Sequence, residues 1–307
     1  MFVARSLDRR EAGCQRLGSS SVDAANDLVG LYWTISGPVE VHVGREWSLF
    51  DLRDRCAHAA RVGFSGIGIW HADLEHVLET RTLAEIAGLF DEFGLRHLEL
   101  EFLQDWFLDP SDEHRREGDR IRELLWEAAP VLPTHHVKVG NIPARRCDFD
   151  TLTERYAELC ASAAERHDAR VVYELIPSDP NVPDLETALA LVEAANAPNG
   201  GLALDTWHLA KLGIEPDVVR RLPAEQLGWV ELSDGRWENM PDFVDEVVNH
   251  RELPGEGEFP IREYVAALRD AGYEGPWGVE VLSEKLRRLP IEEIFDRAYA
   301  TASAQLR

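Results

Sequence analysis

The sequence is short of cysteine, of positive charge and of long apolar runs, and each shortage excludes something. Four cysteines occur in 307 residues (Cys14, Cys56, Cys147, Cys160), with no CxxC spacing. That is neither a disulfide framework nor a zinc pattern, and it suits a reducing compartment, so a cytoplasmic protein is expected. Lys and Arg total 32 against 56 Asp and Glu, a formal charge of −24. A surface of that sign repels nucleic acid and anionic membrane, so neither is an expected partner. No apolar run reaches the roughly 20 residues that span a bilayer. No Gly-rich dinucleotide fingerprint follows the first strand-like run, which counts against an open, doubly wound nucleotide fold. Residues 1–26 lack periodicity as well. They are polar and Ser-rich, with no continuous apolar segment of a secretory signal, and are expected to form a poorly ordered extension ahead of one domain, 27–307.

What is present is alternation. Strand-like runs occupy 28–36, 66–70, 97–103, 135–141, 170–176, 201–206, 227–234 and 277–282. Between them, helical spacing of apolar residues predicts helices over 48–64, 82–95, 112–129, 151–168, 184–196, near 215–222, 261–273 and 290–306. Gly63 and Gly94 close two of these helices, Asp184 opens another, and Thr151 and Glu154 stand at capping-box spacing. Strands alternating with helices imply parallel pairing, and eight such units in about 250 residues suit a closed (β/α)8 TIM barrel. The longest stretch without a regular pattern, 234–260, follows the seventh strand, on the face where such barrels keep their active sites.

The strand ends break the apolar pattern. Glu174 ends "VVYELIP", Asp205 ends "GLALDT", Glu231 lies in "WVELSDG" and Glu280 in "WGVEVL". Burying each alone would cost several kcal/mol unless it were paired or bound to metal. In a barrel these four strands are adjacent and their ends converge on one mouth. A divalent cation resolves the repulsion of four carboxylates, and an all-oxygen set favours Mg²⁺ or Mn²⁺. Lys138, in strand 4, is expected inside the barrel as a substrate contact or counter-ion. His71 and Asp73 follow strand 2, and Trp33, Trp70, Trp207 and Trp237 stand near strand ends, where aromatic rings can stack on sugar faces. Asp234 reads as a turn residue, and Gly255 and Gly257 in "PGEG" let the backbone approach a ligand.

The motifs "YELIP", "LDTWH", "VELSDG", "LPGEGEF" and "GYEGPWGVEVLS" resemble the xylose isomerase-like barrel superfamily, the sugar phosphate isomerase/epimerase group, over about 28–306. The resemblance implies that Glu174, Asp205 and Glu280 bind one divalent metal. A fourth ligand there is usually His; here the place is held by Glu231. It implies that His208, from the Asp-x-x-His motif, touches substrate, and that an Arg after strand 7 does so too, with Arg236 and Arg251 as candidates. The expected function is a divalent-metal-dependent isomerase or epimerase of a sugar or sugar-like hydroxy-ketone, working through an enediolate, with Glu174 and Glu280 as base and acid on opposite sides. Dehydration of a cyclic polyol ketone, of the inosose or dehydroshikimate type, is the alternative outcome of the same enolate. A non-catalytic sugar-binding barrel is another. The His-rich trinuclear zinc nucleases of the superfamily need a basic groove, which this acidic chain opposes. The expected partner is a small sugar or polyol, and pairing of two barrels into a homodimer is implied by the group.

Overall fold

The computed structural model describes residues 26–307. The expected extension over 1–26 therefore lies outside the described residues, save its last. Eight parallel strands close into a barrel in chain order: β1 (Leu28–Gly30), β2 (Gly66–Trp70), β3 (His97–Leu103), β4 (Thr134–Val139), β5 (Arg170–Glu174), β6 (Gly200–Asp205), β7 (Leu227–Leu232) and β8 (Trp277–Val279). The sheet closes where Leu28 stands opposite Trp277 and Gly30 opposite Val279. None of the described helices is long and apolar enough to cross a membrane.

Period-two alternation decides what each strand turns inward. Outward residues such as Leu98, Leu100, Val137, Tyr173, Leu204 and Val230 are fully buried in the core beneath the helices. Inside the barrel, Val29, Leu31, Val172, Ala203 and Trp229 pack into one small apolar layer. Trp229 fits because β8 offers a glycine: a Cβ on Gly278 would lie 2.7 Å from Leu31 Cδ1 and 3.0 Å from Trp229 Cζ2. The next inward layer toward the strand C-termini is charged.

Several expected boundaries move, for local reasons. β1 stops at Gly30 rather than running to Ser36, and Tyr32–Ile35 forms a short helix. The neighbouring β8 ends at Val279, opposite Gly30, so on that side the ladder stops. Thr34 Oγ1 takes over, donating to the Val279 carbonyl at 2.7 Å and accepting from the Val281 amide at 2.7 Å. The helix expected over 151–168 runs Phe149–Ala164, and its cap is Asp148, which accepts from the Thr151 amide at 2.9 Å, so Thr151 and Glu154 form no capping box. The stretch 234–260 contains a helix, Phe243–Asn249, capped by Asp242. Other short helices follow the strands at the same mouth: His71–Leu78, Thr206–Lys211 and Glu284–Arg287.

Candidate active site and metal centre

The inward charged layer is where the strand ends meet. One oxygen each from Glu174, Asp205, Glu231 and Glu280 lies within 4.8 Å of all the others, and His208 forms a second such group with Glu174 and Asp205. All five side chains are buried. Asp205 and Glu231 are cross-strand neighbours on β6 and β7, and Glu280 follows β8 directly.

Two cations are built into the cluster. Lys138 Nζ, on β4, donates to Glu280 Oε1 at 2.7 Å and to Glu231 Oε1 at 2.9 Å. Arg251 Nη1 donates to Asp205 Oδ2 at 2.5 Å and lies 3.7 Å from Glu280 Oε2. Its Nη2 faces His208 Nε2 at 3.1 Å. A guanidinium can only donate, so Nε2 accepts and the imidazole proton sits on Nδ1, which is 3.5 Å from Glu174 Oε1. Burial, and then the Arg251 charge, hold His208 well below its usual pKa, hence neutral.

Lys138 also touches two acidic residues that the strand-end pattern did not single out. Glu99 and Glu101 of β3 lie 3.4 and 3.2 Å from Nζ. Glu99 is held further by His136, 2.9 Å away. The signal was present in "HLELEFL": a run that alternates acidic with apolar residues at period two must send both glutamates to one side, and the apolar set already faces the helices.

Six buried carboxylates thus face two full cations. Glu101 Oε1 and Glu231 Oε2 are buried acceptors with no hydrogen-bond partner, and the His208 Nδ1–H donor has none either. Protons partly relieve the excess. Burial, with Glu280 and Asp205 adding, pushes Glu174 up to about 8. Burial and Glu280 push Asp205 up to about 6, against the pull of Arg251. Glu101 and Glu231 are raised well above the carboxylate range, chiefly by burial. Burial works against the Lys138 ammonium too, but Glu101, Glu231, Glu280 and Glu99 outweigh it. Convergent all-oxygen donors, surplus negative charge and orphaned buried acceptors fit a hard divalent cation.

The surrounding loops hold these groups. Asp205 doubles as a helix cap, its Oδ1 accepting from the Trp207 amide at 2.7 Å. The Arg251 guanidinium lies over the Trp207 ring, 4.8 Å from its centroid. Asp234, expected as a turn residue, organises the loop that carries Arg251: it accepts from the amides of Gly235, Gly255, Gly257 and Phe259 at 2.7, 2.9, 3.1 and 3.0 Å. A Cβ on Gly257 would sit 2.3 Å from Asp234 Oδ1, so the "PGEG" glycine serves close approach of the loop to this carboxylate.

Above the cluster opens a cavity of about 280 Å³. Its floor is Glu101, Lys138, Glu174, His208, Arg251 and Glu280, whereas Asp205 and Glu231 are not part of its lining. Trp33, one of the expected substrate contacts, is part of its lining, beside Trp70. Two expected substrate contacts are not. Arg236 is exposed and paired to Glu258 at 3.3 Å, because the loop turns it outward. His71 opens the helix after β2, packs on Trp70 with ring centroids 4.9 Å apart, and is not part of the lining. Asp73 is used structurally, bound to the buried Arg55 at 2.6 Å. Trp237 is 52% exposed and packs on Phe259.

The sequence profile described as xylose isomerase-like TIM barrel matches residues 56–302. The chain belongs to this family. Among curated relatives, a 3-dehydroshikimate dehydratase of Pseudomonas aeruginosa is 27% identical over 240 residues, 78% of this chain. The chain spans only 37% of that enzyme's length, and 38% of the corresponding Pseudomonas putida enzyme. An inosose isomerase of Bacillus velezensis is 22% identical, covering 75% of this chain and 83% of its own length. An L-ribulose 3-epimerase of Methylomonas sp. is 25% identical, covering 78% and 82%. Among solved structures, the zinc-bound IOLI protein superposes with a TM-score of 0.78 at 19% identity, over 91% of this chain and 98% of that one. At that identity the likeness speaks for the fold.

Proposed function

We propose that the protein is a divalent-metal-dependent enzyme that moves a proton next to the carbonyl of a small hydroxy-ketone, with isomerisation or epimerisation as the outcome. The observation that carries the reading is the convergence of Glu174, Asp205, Glu231 and Glu280 within 4.8 Å beneath a cavity of molecular size. Glu174, Asp205 and Glu280 hold the cation, Mn²⁺ or Mg²⁺. Glu231, whose Oε1 is engaged by Lys138 and by Trp229 Nε1 at 3.0 Å, would complete the set. When bound, the cation polarises the substrate carbonyl and offsets the charge that develops on its oxygen.

The chain's own groups then divide the work. Glu174 and Glu280 are the cluster carboxylates that also reach the cavity floor. Glu280, with the Lys138 ammonium at 2.7 Å, accepts the proton from carbon. Glu174, beside the His208 Nδ1–H, returns a proton from the other side. Different surroundings for two carboxylates separate base from acid. Lys138 and Arg251 fix the carboxylates in place, and Trp33 and Trp70 shield the reacting carbons from water.

Dehydration is the second reading, favoured by the 27% identity to a dehydroshikimate dehydratase. The same proton abstraction followed by loss of a β-hydroxyl gives it. The test is exchange: in deuterated water the Mn²⁺-loaded protein should wash out the proton α to the carbonyl of a turned-over ketone, and Glu280→Gln should stop the washout. Undiminished exchange in Glu280→Gln removes that residue from the mechanism. No exchange or turnover by wild type across sugar and cyclic polyol ketones supports a binding protein instead.

A further inference from the structure

Above the acidic floor the cavity changes character. Trp33, Trp70, Phe102 and Leu282 pack together as one part of its wall, and Trp207 and Phe243, with ring centroids 6.1 Å apart, line it as well. The Trp33 and Trp70 rings are 4.7 Å apart, and Trp70 lies nearly parallel to Phe102, at 14° and 6.1 Å. Polar atoms are few on these walls, and part of them are already paired. Trp70 Nε1 donates to Glu46 Oε2 at 3.0 Å, and His42 pairs with the same carboxylate at 3.2 Å. The two floor cations, Lys138 and Arg251, are tied to carboxylates. Of the remaining wall residues, Ser178 alone has a polar side chain. The apolar surface continues to the rim on the helix Phe243–Asn249, where Phe243 is 38% and Val244 68% exposed.

Such walls select against a bare or phosphorylated sugar. A sugar's C–H faces do stack on aromatic rings, but its hydroxyls project around the whole molecule. Each hydroxyl that loses water without a partner costs free energy, and these mostly apolar walls supply few. A phosphate would find no unpaired cation and would sit above surplus carboxylates. Resting on the reading above, we propose that the substrate is a hydroxy-ketone with one oxygen-bearing end, which meets the floor, and an apolar body of aryl or carbocyclic type, which fills the aromatic walls. The hydrophobic gain comes from removing that body from water.

Hydroxamates test this directly, because they present two adjacent oxygens as the enediolate does while the body is varied. Acetohydroxamate, phenylacetohydroxamate and 4-phosphoerythronohydroxamate are titrated into the Mn²⁺-loaded protein by calorimetry. The expected result is that phenylacetohydroxamate binds about tenfold or more tightly than acetohydroxamate, with the phosphorylated compound the weakest. Trp70→Ala should erase the preference for the phenyl body. Val244→Glu, at the exposed rim and tolerant of charge, should reduce it without risk to the fold. Equal affinity of all three, or preference for the phosphorylated compound, overturns the apolar-body inference and leaves the metal reading intact. Failure of acetohydroxamate and the others to bind overturns the metal reading and the inference with it.

Discussion

Metal binding should be coupled to proton release, and the coupling can be worked out from the buried carboxylates. Without metal, Glu174 holds its proton up to about pH 8 and Asp205 up to about pH 6. A cation binds their ionised forms and must displace those protons. At pH 6, Glu174 is protonated and Asp205 half so, and about 1.5 protons leave per ion bound. At pH 8, Glu174 is half protonated and Asp205 free, and about 0.5 leaves. Integrating between these limits, the affinity rises about a hundredfold from pH 6 to pH 8. Glu231, also raised, can only add to the effect. Calorimetric titration of chelator-stripped protein with Mn²⁺, in buffers of low and high protonation enthalpy, reads proton release and affinity together. A dissociation constant flat between pH 6 and 8, with the same heat in both buffers, would refute the claim that the ligands are these raised carboxylates.

The metal-free protein should itself lose stability as pH rises from about 4 toward 8. Glu174 and Asp205, raised above their usual 4.5 and 3.8, bind protons in the folded state that the unfolded chain has released. Thermal melts in chelator should follow that slope, and saturating Mn²⁺ should remove it; a slope unchanged by Mn²⁺ would contradict this. Lys138→Met leaves Glu99, Glu101, Glu231 and Glu280 without their shared ammonium and should destabilise the metal-free protein by about 3–5 kcal/mol. Urea unfolding measures it, and a variant as stable as wild type would mean the pairings are not what holds the cluster. Asp234→Ala strips the acceptor from four loop amides and should cost about 2–3 kcal/mol. A loss below about 0.5 kcal/mol, in the range of an ordinary surface change, would mean the loop is held by something else.

The sequence made the barrel legible because period 2 and period 3.6 alternate eight times with few interruptions. It located the strand-end carboxylates because a charge inside an apolar run is a local anomaly. Glu99 and Glu101 were harder to see. They lie mid-strand, and their inward aim depends on which side of β3 the helices cover, a tertiary fact. The partners of Lys138 come from β3, β7 and the end of β8, far apart in the chain, so nothing local announces them. Arg236 and Arg251 could not be ranked from spacing, since the fold of the 234–260 loop decides. Asp234 clamps four of its amides, and the Arg251 amide bonds the Leu282 carbonyl at 3.2 Å, which turns Arg251 inward. Short helices at the mouth, such as Tyr32–Ile35 and Thr206–Lys211, escaped because four to six residues give too few turns for a period to register.

The central claim is that the strand ends form one metal site. Crystals grown with Mn²⁺, measured at the manganese absorption edge, test it most directly. The account predicts one strong anomalous peak at coordinating distance from Glu174, Asp205 and Glu280, lost in Glu174→Gln. No peak there, with Lys138 and Arg251 as the sole cations of the cluster, would contradict it and make the six carboxylates a structural ion-pair network.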